Sequence, residues 1–371
     1  MSNHTAPARP FDLSRDFISG VLPSPPDRRD RFAVSFMPES TEGAVVAAPF
    51  GAPLPARHQL RIVEPVSQER GDCAVWSAFR VATEASRLHL NAPFDPSEEL
   101  GYAEVQRQMG DRRPPQQCLD RGSYPRMVWD MMHRQGIALE QQIPYRSRDL
   151  CWLPGPSEYA MAAERKIAGY GRVMQTDGLL LIDEIKRILW GKNGKGHRVQ
   201  VCFTLFETLN RMGGDGVMPV PEGEQVGHHA MDLDGWDDNP SFWHEGGFWD
   251  QNQWWTTWGR GGRMFIPYSV LLRHPDRGGV WREDLWTGWW NPVIQPDPDP
   301  QPEPGPTPAP DRYDAPTWDE ARRVIQGTHD AFRQQAGGRK SMNAWKYADG
   351  IGSALRYLDE RRAELEAGGG M

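Results

Sequence analysis

The chain has 371 residues, 50 of them acidic and 42 basic, for a formal net charge of −8, a balance that argues against a general polyanion binder. Hydrophobic residues make up 38% and glycine adds 38 positions, enough to bury at least one large core and to exclude wholesale disorder. No stretch approaches the roughly 20 apolar residues that cross a bilayer, and the opening MSNHTAPARP has no apolar segment after a basic start, so neither a membrane span nor Sec-dependent secretion is expected.

In chain order, residues 1–52 are rich in Pro, Asp and Arg, with one apolar run at 32–36. They read as an arm that wraps a neighbouring domain, without a core of their own. From about residue 53 the pattern turns helical, most clearly over 73–88 and 124–135. The half that follows reads as strands at 198–206, 230–236, 247–249 and 263–266, each short, apolar and bounded by Gly, Asp or Pro. A helical half joined to a strand-built half, together spanning 53–291, predicts an α+β architecture with a cleft at the junction. Over 292–316, with proline at every second position from Pro296 to Pro310, the chain reads as a polyproline-type linker between folded units. Beyond it, Thr317 and Glu320 have capping-box spacing, and apolar stripes on either side of Gly337 and Gly338 predict a helical hairpin over 317–371. A hairpin this small is marginal alone, so it is expected to pair with a protein partner, a second copy or the main domain.

The four cysteines, Cys73, Cys118, Cys151 and Cys202, are too sparse for a disulfide framework. They suggest a reducing, cytoplasmic setting, with export by a non-Sec route left open. Cys73 opens the helical run AVWSAFRVATEA, and a sulfur at a helix N-terminus is biased toward thiolate. Buried cysteine is also a common core residue, so the chemistry needs a base. The candidate is His229 in VGHHAMDLDGWDD, with His228 directed to the opposite face of the same strand. Two adjacent histidines and scattered cysteines raise the question of zinc, but no Cys-x-x-Cys or His-x3-His spacing completes a tetrahedral site, and no metal is expected. Asn252 in WDQNQWWTTWGRGG supplies a neutral amide that can hold an imidazole in one tautomer, and Trp254 can cover that contact.

These stretches resemble the papain-like cysteine peptidases, clan CA family C1, in the family's chain order. The nucleophile block is matched by Gln68, Gly71, Cys73, Trp76, Ser77 and Ala78. The histidine block is matched by Gly227, His229, Ala230, Gly235 and Trp236, and the Asn-x-Trp-x-Thr-x-Trp-Gly-x-x-Gly block by Asn252, Trp254, Thr256, Trp258, Gly259 and Gly262. The resemblance spans about 53–290, and the lead-in GVLPSPPDRRD is similar to bacterial members without a helical propeptide. It implies a two-lobe fold, a helical left lobe and a β-barrel-like right lobe with the active-site cleft between them. It also implies a cysteine endopeptidase acting on protein or peptide substrates without a cofactor. The implied roles are Cys73 as nucleophile, His229 as base and then acid, Asn252 as its orienter and Gln68 as a donor to the oxyanion hole. Gly122, Ser123, Tyr124, Pro125, His228 and Trp254 would contact the substrate.

Two departures leave alternatives open. Gln68 stands one residue closer to Cys73 than the family spacing. A second register pairs Cys73 with the family's upstream disulfide cysteine and puts Trp76 where the nucleophile belongs; the preferred register instead places Arg70 at that disulfide position. The alternative function is a papain-like scaffold that binds without cleaving. A third, acyl transfer, shares the chemistry and differs in the acceptor.

Overall fold

A computed structural model describes residues 20–25, 27, 30, 33, 47–48, 52–110, 118–173, 178–191 and 194–290. The chain divides into a unit up to Ile294 and a second from Gln295 to Met371. The expected linker and helical hairpin therefore lie outside the described residues, as does most of the arm.

Among the described residues, six α-helices and seven strands build the first unit. Helix α1 (Cys73–Leu90) is rich in alanine and ends at Asn91, which takes the left-handed conformation (φ 50°) that closes many helices, with Arg87 and His89 in the last turn. Helix α2 (Glu98–Gln108) starts from Ser97, whose hydroxyl accepts from the Leu100 N–H at 3.2 Å. Helix α3 (Pro125–Arg134) has proline at its first position, where a missing N–H is harmless. Helices α4 (Pro156–Ala163), α5 (Gly178–Trp190) and the short α6 (Tyr268–Leu271) complete the set.

The strands are β1 (Arg57–Gln59), β2 (Gly169–Arg172), β3 (Val199–Phe206), β4 (Gln225–Asp237), β5 (Gly247–Gln251), β6 (Arg263–Pro267) and β7 (Trp286–Trp289). They form one antiparallel sheet in the order β2-β7-β3-β4-β5-β6, with β1 paired to β4. The α+β expectation is met, with the barrel-like part an open sheet: among the described residues β2 and β6 lie at opposite ends of the path and do not pair. The outer edge of β6 instead meets Val217 through a single bridge to Phe265.

Two apolar cores flank the sheet. Val75, Phe79 and Ala82 of α1 pack with Val105, Val128 and Met132, while Leu233, Val201, Phe248 and Ile185 lie in the other core. Each fully buried Val, Leu, Ile, Phe or Met side chain among these contributes about 1.5–3 kcal/mol. Polar ties pin α1 to the sheet. Gln200 accepts from the Trp129 indole at 2.7 Å and donates to the Ala74 carbonyl at 2.8 Å. Arg80 donates to Asp232 of β4 at 2.8 Å.

The cysteine expectation needs correction. Cys118 and Cys151 form a disulfide, leaving Cys73 and Cys202 as buried free thiols. A low cysteine count excludes a framework but not one local bridge, and a bridge of this kind removes the support for a reducing compartment. No helix among the described residues is long and apolar enough to cross a membrane.

Candidate active site

Cys73 is the first residue of α1 and is completely buried. Burial pushes its thiol up to about 12, and the neighbouring Asp72 carboxylate acts in the same direction, while backbone groups of Ala230, Ala74 and Gly20 favour the thiolate. Arg70 donates to both Glu99 oxygens (2.9 and 3.0 Å) and to the Arg148 carbonyl, anchoring the loop before the nucleophile. Asp120 accepts from the Gly71 N–H with both oxygens (2.9 and 2.8 Å) and from the Tyr102 hydroxyl, tying that loop to the Gly122–Ser123 segment. Nothing in sequence spacing marks Asp120 for this role.

His229 lies in β4 opposite Phe203 and is fully buried. Its Nε2 is 2.8 Å from Asn252 Oδ1, and the same oxygen accepts the Gln253 backbone N–H at 2.7 Å. An oxygen that accepts cannot donate, so Nε2 must carry the ring proton and Nδ1 the lone pair. Trp254 stacks on the imidazole with ring centroids 4.3 Å apart and 22° between planes, and Trp258 meets Trp254 edge-on. The pair is thereby shielded from competing water. Burial lowers the His229 pKa to about 3, against the raising effect of the Asn252 hydrogen bond.

Gln68 lies on the same side through its backbone N–H, which donates to the Gln253 carbonyl at 2.8 Å. Its side-chain Nε2 donates to the Arg70 carbonyl at 2.5 Å. His228 is half-buried, edge-on to Trp281 at 4.9 Å, with Nε2 2.7 Å from the Gln225 amide nitrogen. Gly122 adopts φ 76°, Ser123 is buried, and Tyr124 precedes Pro125 at the start of α3. Among the described residues no group of three or more His, Cys, Asp or Glu is arranged to hold a metal ion.

The arm lies over Cys73. Val21 bridges Ser123 in the parallel sense: the Ser123 N–H donates to the Gly20 carbonyl and the Leu22 N–H to the Ser123 carbonyl, both at 2.9 Å. An antiparallel ligand would exchange both bonds with one residue, so the arm runs the opposite way. The Gly20 N–H points at the His228 carbonyl, 3.4 Å away. A Cβ on Gly20 would lie 2.6 Å from the Gly71 backbone and 2.8 Å from Cys73 Sγ, so only glycine allows this approach. Further along, the Ser24 N–H donates to the buried Asp284 at 2.8 Å, and Arg126 grips Asp30 through two bonds of 2.6 and 2.5 Å. Under this cover a thiol near 12 and an imidazole near 3 are both neutral at pH 7.

The structure thus brings His229, Asn252, Trp254 and Gln68 together around Gln253, and places Cys73 and Ser123 beside them through Ala230 and Gly20. Sequence reasoning missed the path of the arm, Asp120 and Gln253; an arm expected to wrap a neighbouring domain gave no hint that Gly20 would reach the sulfur. No protein-family model matches the chain, and no curated protein matches it. Among solved structures it is similar to xylellain, a cysteine protease from Xylella fastidiosa, with a TM-score of 0.57 and 21% identity over 77% of this chain and 100% of that one. It is also similar to procathepsin B S9 from Trypanosoma congolense, with a TM-score of 0.50 and 15% identity over 74% of this chain and 87% of that one. On this similarity, with helices packed against an antiparallel sheet, the chain has the papain-like cysteine protease fold.

Proposed function

We propose that this chain is a cysteine endopeptidase acting on protein or peptide substrates through Cys73, His229 and Asn252. The observation that carries the reading is the imidazole of His229, held as the Nε2–H tautomer by Asn252 beneath Trp254, on a strand whose next residue, Ala230, reaches the Cys73 sulfur through its backbone. With the arm displaced, His229 Nδ1 takes the thiol proton and the sulfur attacks the peptide carbonyl carbon. The tetrahedral oxyanion is held by the Cys73 backbone N–H and the Gln68 amide. Its collapse breaks the C–N bond, and the imidazolium returns the proton to the leaving amine. Water, deprotonated by His229, then attacks the thioester; the acid product leaves and the thiol re-forms.

A second reading is a scaffold that binds without cleaving, favoured by the Gln68 amide, which donates to Arg70 in this state. Alkylation by a thiol-directed epoxide, followed by intact mass and peptide cleavage, separates the two. The full chain, its Gly20→Ala variant, and that variant carrying Cys73→Ala or His229→Ala are compared. The protease reading expects one adduct at Cys73, faster in Gly20→Ala and lost with Cys73→Ala, a large slowing with His229→Ala, and cleavage that follows the same order. Equal labelling with and without His229 would refute the proposed pair, and adduct formation without cleavage would support the scaffold.

A further inference from the structure

The proposed chemistry needs a sulfur on α1 and an imidazole on β4 at a fixed separation, although the two elements meet only through non-covalent contacts. Gln253 stands where these segments converge, between Asn252 and Trp254, with its side chain wholly buried. Its Nε2 donates to the Ala230 carbonyl at 2.7 Å and lies 3.5 Å from the Cys73 carbonyl. Its backbone N–H donates to Asn252 Oδ1 at 2.7 Å, and its carbonyl accepts from the Gln68 N–H at 2.8 Å. One residue therefore touches the segments bearing all four candidate catalytic groups.

A residue needed only to fill space would be apolar, because a buried amide is unfavourable unless its bonding capacity is used. Here the Oε1 atom has no hydrogen-bond partner among the described residues. The side chain is thus kept for its two donors, which point at two carbonyls on different elements. We infer that Gln253 is a positioning residue that joins the first carbonyl of α1 to the β4 carbonyl beside His229 and so sets the distance between thiol and imidazole. Its backbone N–H also fixes Asn252 with Oδ1 turned toward the ring. This inference rests on the protease reading.

The test uses the full-length chain with Gly20→Ala as parent, adding Gln253→Leu, which keeps volume but removes both donors, or Gln253→Glu. Circular dichroism and thermal melting report folding. For Gln253→Leu the expected result is a kcat lower by on the order of 10²-fold with KM within about 3-fold, the scale set by misplacement of reacting groups. The pH profile of Cys73 alkylation should shift to higher pH, because a more distant imidazole stabilises the thiolate less. Gln253→Glu gives a second, independent signature. Its carboxylate cannot donate at neutral pH, but once protonated it donates to one carbonyl, so activity relative to the parent should recover as pH falls. A folded Gln253→Leu variant with the parent's kcat and alkylation profile overturns the inference and leaves the protease reading intact. A loss of activity with an unchanged alkylation profile and no acid recovery of Gln253→Glu assigns Gln253 a merely structural role and also overturns it. A parent that neither alkylates at Cys73 nor cleaves peptide overturns the protease reading itself.

Discussion

Gly20 and Asp250 are two residues whose smallest chemical change has a sharp consequence. At Gly20 one methyl group meets backbone at 2.6 Å and sulfur at 2.8 Å, contacts that backbone cannot relieve without the arm moving. Gly20→Ala is therefore expected to expose Cys73. In the wild type burial favours the thiol over the thiolate, so alkylation should be slow; in the variant, water and the reagent reach the sulfur and the rate at pH 7 should rise by about 10-fold or more. Equal rates in the two proteins would show that the arm does not limit access. Asp250 is fully buried, and neither carboxylate oxygen has a hydrogen-bond partner among the described residues. Burial, reinforced by Asp232 and Asp234, holds its pKa well above the usual carboxylate range. A raised native pKa means the folded protein retains a proton that the unfolded chain gives up, so its stabilising effect is complete below about pH 4 and is lost as pH rises toward the native value. Asp250→Asn should accordingly stabilise by about 1–3 kcal/mol at pH 7.5, and thermal melting should show a smaller gain at pH 4.5. A gain independent of pH would rule out titration of Asp250 as the cause.

At the scale of elements, the contact between α1 and β4 decides whether a site exists. Arg80 on α1 donates to Asp232 and to the Gln251 carbonyl, and Asp232 also takes a bond from Arg198. All three side chains are buried, so Arg80→Met leaves Asp232 half compensated. Removing one partner of a buried ion pair costs about 3–5 kcal/mol, and urea denaturation should show a loss toward the lower end because Arg198 remains. A loss below about 1 kcal/mol would mean that Arg198 alone satisfies the carboxylate. The strands on either side explain what the pattern of residues did and did not reveal. The stretch at 198–206 was legible because β3 is buried along nearly its whole length, giving a mostly apolar run broken by Gln200 and Thr204. Strand β4 extends beyond the expected 230–236 at both ends, to Gln225 and Asp237, because its polar ends gain ladder partners on β3, β1 and β5 that local composition cannot announce. The open sheet has the same cause: closure depends on whether β2 and β6 meet, and no local pattern encodes that.

For the molecule as a whole, the disulfide and the division of the chain carry the remaining expectations. Cys118 and Cys151 are 33 residues apart, and closing such a loop stabilises by about 2–4 kcal/mol. Thiol titration in denaturant without reductant should therefore find two thiols, not four, and the double Cys118→Ser, Cys151→Ser variant should melt at a lower temperature. Four titrating thiols would remove the bridge from the account. Every residue proposed to act in catalysis precedes Ile294, so a chain ending there is expected to keep its intrinsic peptide cleavage, measured with a short fluorogenic peptide; a large loss would assign residues 295–371 a part in the site. The sequence by itself determined the order of cysteine, histidine and asparagine, the helix that opens at Cys73 and the existence of the main apolar strands, because these follow from local composition and periodicity and from side-chain chemistry. Only the tertiary structure decided that Gly20 lies on the sulfur, that Cys118 finds Cys151, and that the Gln253 amide reaches both Ala230 and Cys73. Each of those is a contact between segments far apart in the chain, and its energy is gained only once the chain has folded.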